Sequence, residues 1–207
     1  MLHLLSRNSI CSFLHQTKGM KLLTVFGLCL AFISVIEAYS RWPYEHRLRK
    51  GVATFTTPYE GQVTFTPVGT SALRVSGRVS GLPPMQKVGV HIHETGNLGN
   101  GCLDAGAHWN PFNRNHGDLN SRVRHEGDFG NLETDRSGNM LFDFTAPVDR
   151  RDITNGFIGL TLVIHEKTDD LGLKDNEGSR TTGNSGGRMA CAVVGLAEKP
   201  VVHDSRK

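Results

Sequence analysis

Lys87-Val88-Gly89-Val90-His91-Ile92-His93-Glu94 sets an apolar side chain at every second position from Val88 to Ile92. In an extended chain residues i and i+2 share a face, so Val88, Val90 and Ile92 point one way and His91 and His93 the other. The apolar side is core material, and the two imidazoles stand together outside it. Leu73, Val75, Gly77 and Val79 alternate with Arg74, Ser76, Arg78 and Ser80 in the same manner. Further short runs, Val52–Thr56, Gln62–Val68, Asn139–Ala146, Leu160–His165 and Ala190–Leu196, are separated by Gly, Pro, Asp and Asn clusters. No stretch shows a helical period of useful length. The pattern predicts an all-β domain of about seven or eight strands, a sandwich or a Greek-key barrel.

Two long segments interrupt that rhythm, from about Thr95 to Arg124 and from about Lys167 to Arg188, both rich in Gly, Asn and Asp. Loops of this length without structure of their own are uncommon unless they are functional. The first carries His108 and His116, and the second follows His165 directly. In chain order the ligand-type residues are His91, His93, His108, His116, His125, Asp128 and His165. A tetrahedral zinc takes four ligands, and a copper in a nitrogen field takes about four. Seven side chains serve both only if one is shared. A single histidine is most often a solvated side chain, but that reading loses force when six cluster in one region. A simpler rival is one catalytic zinc on three histidines with water in the fourth place. It leaves the close His125-x-x-Asp128 pair and other donors without work.

The first nineteen residues show no clear pattern, and the chain begins again at Met20. Met20 and Lys21 lead into an apolar run, Leu22 to Ile36, followed by Glu37 and Ala38. This is the form of a secretory signal with cleavage after Ala38. The run is short of the roughly twenty residues a membrane span needs; an uncleaved signal anchor is the alternative. Residues 1–38 are therefore expected to be a signal region, 39–47 an extension, 48–198 the folded domain and 199–207 a tail. Removing the leader discards Cys11 and Cys29 and leaves Cys102 and Cys191, which in a secreted chain read as a disulfide. The formal net charge of +3 owes much to Arg7, Lys18 and Lys21 in the leader, so it is no nucleic-acid signature.

The strings His91-Ile92-His93-Glu94, Gly101-Cys102, Ala105 to Pro111, His116-Gly117, His125-Glu126-Gly127-Asp128, Leu162 to Lys167, Gly183-Asn184 and Arg188 to Cys191 closely resemble the Cu/Zn superoxide dismutases. The similarity is dense from Val88 to Leu196 and thin from Leu48 to Gln86. It implies an eight-stranded Greek-key β-barrel or sandwich with two long functional loops, and an enzyme that converts superoxide to dioxygen and hydrogen peroxide. A non-catalytic metal-binding or copper-delivery protein on the same fold is the alternative. The resemblance makes His91, His93, His108 and His165 copper ligands, and His108, His116, His125 and Asp128 zinc ligands, with His108 shared. It makes Asp169 a carboxylate linking His91 to His116, Arg188 the guide for the anion, and Thr182, Glu177 and Lys167 parts of the channel. Together with the signal sequence and its short apolar run, the resemblance implies a secreted member of the family, a homodimer, and no stable membrane insertion once the signal is removed.

Departures from the family pattern are Val88 in place of a common histidine, Gly178 in place of an acidic residue, and Thr181 in place of a basic rim residue. The first strand also lacks the family's usual cysteine. Phe157 and Ile158 are candidate dimer contacts or, alternatively, core.

Overall fold

The computed structural model describes residues 48–148 and 156–197. The expected signal region, extension and tail lie outside these residues. Among the described residues there are nine strands: β1 (Gly51–Phe55), β2 (Glu60–Val68), β3 (Ala72–Ser80), β4 (Lys87–His93), β5 (Gly99–Cys102), β6 (Asp128–Glu133), β7 (Met140–Pro147), β8 (Thr161–His165) and β9 (Arg188–Leu196). Eight of them form a single sheet in the order β6-β4-β8-β9-β1-β2-β3-β7. Every pairing within it is antiparallel. The two end strands, β6 and β7, meet at a Thr134–Met140 bridge, which nearly closes the sheet into a barrel. β1, β2 and β3 run up and down, and the chain then crosses to β4, between β6 and β8. This is the Greek-key connection that the alternating runs predicted.

The inward positions of the alternating strands fill the barrel. Val63, Phe65, Leu73, Val75, Ile92 and Leu162 are each at most 1% exposed. Phe157 lies among aromatic rings, with its centroid 5.7 Å from Phe65, 5.6 Å from Phe129 and 5.4 Å from Trp109. It is therefore core, while Ile158 is half-buried and packs against the core.

Three local findings differ from the sequence reading. The first concerns β6, which the alternation did not reveal. Gly89 pairs with Asn131 and His91 with Asp128, so two residues of β4 are matched by three of β6. That bulge breaks the period of two and lets Phe129 and Leu132, three apart, both reach the core. The second is that the long loops are not wholly irregular. The first holds β5 and a single 3₁₀ turn, Leu103–Ala105, and the second a five-residue helix, α1 (Glu177–Thr181), capped by Asn176 accepting from the Ser179 N–H. Five residues are too few to display a helical period. The third is that both faces of β4 are covered: His91 and His93 are as buried as Val90 and Ile92. The loops supply the cover on the histidine side. Among the described residues no helix is long and apolar enough to cross a membrane.

Phe157→Ala should lower the stability of the metal-free protein by about 3–5 kcal/mol, the usual cost of truncating a buried aromatic. Urea denaturation checks it; a change below about 1 kcal/mol would place Phe157 outside the core.

Candidate metal centre

Three neighbouring strands and one loop supply the donors. β4 presents His91 and His93, and β8 ends in His165. The loop before β6 carries His108, His116 and His125, and Asp128 opens β6 itself. A bridge pairing of His93 with His108 ties the loop to β4. All seven residues are buried, none more than 4% exposed.

On one side of His108 four nitrogens converge. His93 Nδ1 donates to the Gly106 carbonyl at 2.9 Å, and His165 Nδ1 points to the Gly186 carbonyl at 3.4 Å. A carbonyl can only accept, so these contacts put the protons on Nδ1 and the lone pairs on Nε2. The two Nε2 atoms then face each other at 3.3 Å with no proton between them. His91 Nδ1 and His108 Nε2 are likewise buried without a hydrogen-bond partner. Unpaired acceptors in a dry interior are costly, and a cation among them removes the cost. His91, His93, His108 and His165 can hold one.

The other side of His108 is built around a carboxylate. Asp128 Oδ1 lies 3.0 Å from His108 Nδ1, 3.0 Å from His116 Nδ1 and 3.2 Å from His125 Nδ1. Its Oδ2 accepts from the backbone N–H groups of Gly117 and His125. The Nδ1 atoms of His116 and His125 have no hydrogen-bond partner despite their nearness to Oδ1. Three nitrogens and one oxygen about one point are a tetrahedral zinc donor set. His91 also lies within 4.8 Å of His108, His116 and Asp128. Its one free nitrogen, Nδ1, already belongs to the first set and its Nε2 is held by Asp169, which leaves His125 as the better fourth donor.

Asp169 links the two sides. Its Oδ2 is 2.8 Å from His91 Nε2, and its Oδ1 is 2.8 Å from His116 Nε2. Two residues to which the sequence reading gave no role hold it in place. Asn131 on β6 receives the Asp169 N–H and donates to the Asp169 carbonyl, both at 2.8 Å. Gly183 leaves the space: a Cβ there would collide with Asp169 Oδ1 and His116 Nε2. Gly183 stood in one of the family-like strings, but nothing in the local pattern gave either residue its role, because one acts on backbone atoms and the other by lacking a side chain.

Charge follows the same division. Burial, with His108 nearby, lowers His93 to about 2 and His165 to about 4. Burial also lowers His91 and His108. These imidazoles are neutral and available as ligands. Burial opposes charging His116 too, but Asp128 and Asp169 outweigh it and raise His116 to about 9.

A cavity of about 400 Å³ opens onto the first side, lined by His93, His108, His165, Thr181, Thr182 and Arg188, with Ala107, Asn184 and Gly186 completing the wall. Thr182 and Arg188 line this cavity, and Thr181 joins them. Glu177 and Lys167 are not in its wall; Glu177 begins α1, and the Lys167 chain lies along Gly186. Arg188 donates to the carbonyls of Cys102, Leu103 and Gly106 at 2.6, 3.1 and 2.5 Å. The Cys102–Cys191 disulfide holds that loop to β9, Cα to Cα 5.7 Å.

A family profile described as copper/zinc superoxide dismutase matches residues 59–194. The chain belongs to the copper/zinc superoxide dismutase family. It is 44% identical over 182 residues to the extracellular superoxide dismutase [Cu-Zn] of Schistosoma mansoni, covering 84% of this chain and 98% of that protein. The extracellular superoxide dismutase [Cu-Zn] of Caenorhabditis elegans is 44% identical over 142 residues, which are 69% of this chain and 63% of that protein. A solved structure described as the clock protein EA4 superposes with a TM-score of 0.67 at 39% identity, covering 72% of this chain and 95% of that one. As in the family, the enzyme is an oxidoreductase that uses copper and zinc, and its buried donor sets fit both metals.

Two outcomes follow for this superoxide dismutase. Gly183→Ala should displace Asp169 and weaken metal binding about 10- to 100-fold, measured by competition with a chelator; unchanged affinity would show that the gap at Gly183 is not needed. The metal-free protein should be most stable near pH 6.5. Below that, His93 and His165 are protonated in the unfolded chain but not in the folded one, so stability falls with pH. Above it, the gain from His116 is lost as pH rises through about 9. Urea midpoints across this range test both slopes, and a flat profile would contradict them.

Proposed function

We propose that this superoxide dismutase holds copper with His91, His93, His108 and His165 and zinc with His108, His116, His125 and Asp128, and that it works outside the cell. The observation that supports the assignment is the position of His108. Its Nδ1 faces Asp128 at 3.0 Å, while its Nε2 is buried, without a partner, beside His91, the two ring centroids 3.9 Å apart. One imidazole thus offers a nitrogen to each donor set, and seven residues make two complete sites. When bound, copper would supply the one-electron redox chemistry that the disproportionation of superoxide needs, and redox-inert zinc would fix the arrangement.

The chain's own residues do the rest. His108 borders the cavity, where its ring can take up a proton and deliver it to the product side. Arg188 spends three of its N–H groups on the loop; Nε–H and one hydrogen on Nη2 are left for a small anion. That fixed charge, on the cavity wall, draws superoxide in. Asp169 keeps the rings of His91 and His116 oriented through their Nε2 atoms, and so keeps each Nδ1 aimed inward.

The apolar run Leu22–Ile36, the Cys102–Cys191 bond and the extracellular relatives support secretion.

The purified protein should contain one copper and one zinc per chain and consume superoxide; zinc alone with no activity would refute the assignment. His116→Ala should lose zinc and keep part of the copper chemistry. Loss of all redox activity together with the zinc would contradict this division. Arg188→Ala should be slower by roughly tenfold or more and less sensitive to added salt. If the salt dependence matches the wild type, Arg188 does not guide the anion.

A further inference from the structure

The Gly106–Ala107 peptide group sits where the two halves of the catalytic apparatus meet. Its carbonyl oxygen accepts from His93 Nδ1 at 2.9 Å and from Arg188 Nη2 at 2.5 Å. Among the described residues it is the one acceptor shared by a site histidine and Arg188. The orientation of a metal-ligating ring and the placement of the anion-guiding guanidinium therefore depend on one carbonyl.

That carbonyl does not hold itself in place. Gly106 follows the 3₁₀ turn with φ 78° and ψ −155°, a conformation essentially confined to glycine. The opposite end of the same peptide is gripped by Glu94. Glu94 Oε1 accepts the Ala107 N–H at 2.9 Å, and its Cγ and carboxyl group occupy the space where a Gly106 Cβ would project. Glu94 also donates its own backbone N–H to the Ala107 carbonyl at 2.9 Å, extending the pairing of His93 with His108. The carboxylate lies outside the cavity wall and reaches neither His93 nor Arg188 directly.

We infer that Glu94 is a positioning residue that sets His93 and Arg188 together through the Gly106–Ala107 peptide. Two physical effects combine. The carboxylate fixes the rotation of the peptide plane, so the carbonyl points at both donors. A charged acceptor on the N–H also polarises the peptide and strengthens its oxygen as an acceptor. Without Glu94 the plane can turn, and His93 and Arg188 lose the same anchor at once. The inference rests on the proposed roles of His93 as a copper ligand and Arg188 as the anion guide.

The test compares wild type, Glu94→Met and Glu94→Gln as copper- and zinc-loaded proteins. Met keeps the packing against Gly106 but removes the oxygen; Gln restores an oxygen of the same reach without the charge. Two readouts are taken: the Cu(II) electron paramagnetic resonance spectrum, which reports ligand geometry, and the affinity for azide, a small anion probe of the Arg188 site. In Glu94→Met the spectrum should shift and azide affinity should fall about tenfold, the low end for loss of an outer partner. Glu94→Gln should return most of both. Movement of one readout without the other, or failure of Gln to restore either, would overturn the shared-peptide account. So would a Glu94→Met protein identical to wild type. If Glu94→Met does not fold, Glu94→Asp, which keeps the charge but shortens the reach, should give the same paired change, and its absence would also refute the inference. A wild-type protein lacking a nitrogen-ligated copper spectrum would instead refute the metal assignment, a separate result.

Discussion

Lone pairs that face one another in a dry interior are the constraint on which the rest of the structure depends. His93 Nε2 and His165 Nε2 lie 3.3 Å apart without a proton to share. Asp128 Oδ1 stands among three imidazole nitrogens, two of which have no hydrogen-bond partner. Each buried polar atom left unpaired costs about 1–3 kcal/mol, so the cluster destabilises the fold until cations balance it. The surrounding fold has to keep the donors close in spite of their repulsion. Paired strands do this for His91, His93 and His165, and Asp169 does it across the two donor sets.

The scaffold and the site rely on one another at identifiable points. Asn131 ties the second loop to β6 through the Asp169 backbone. The disulfide ties the first loop to β9, and Arg188, three residues before Cys191, donates back to the same loop. A barrel with a well-filled aromatic core resists the strain that bringing seven donors together imposes. Binding of metal then contributes to stability what the empty cluster costs.

Much of this was legible in the chain. Alternation marked β3 and β4 because their faces are chemically distinct in a period of two. It missed β6 because the bulge at its start moves Phe129 and Leu132 out of that period. The ligand residues stood out because histidine is scarce and their order is distinctive. The clamp of Asn131, the gap at Gly183 and the grip of Glu94 on the Ala107 N–H did not. Each works through backbone atoms of residues distant in sequence, or through the absence of a side chain.

The sequence by itself determined the β character, the donor inventory, the cysteine pair and the family, since these follow from residue type and spacing alone. Tertiary structure decided which nitrogen of each ring faces inward. That choice depends on the atom each ring's other nitrogen meets: Asp169 for His91 and His116, and the Gly106 carbonyl for His93. It also decided how completely the loops cover the histidine face of β4, leaving His91 and His93 as buried as Val90 and Ile92. A list of ligands carries no direction; the hydrogen bonds behind them supply it.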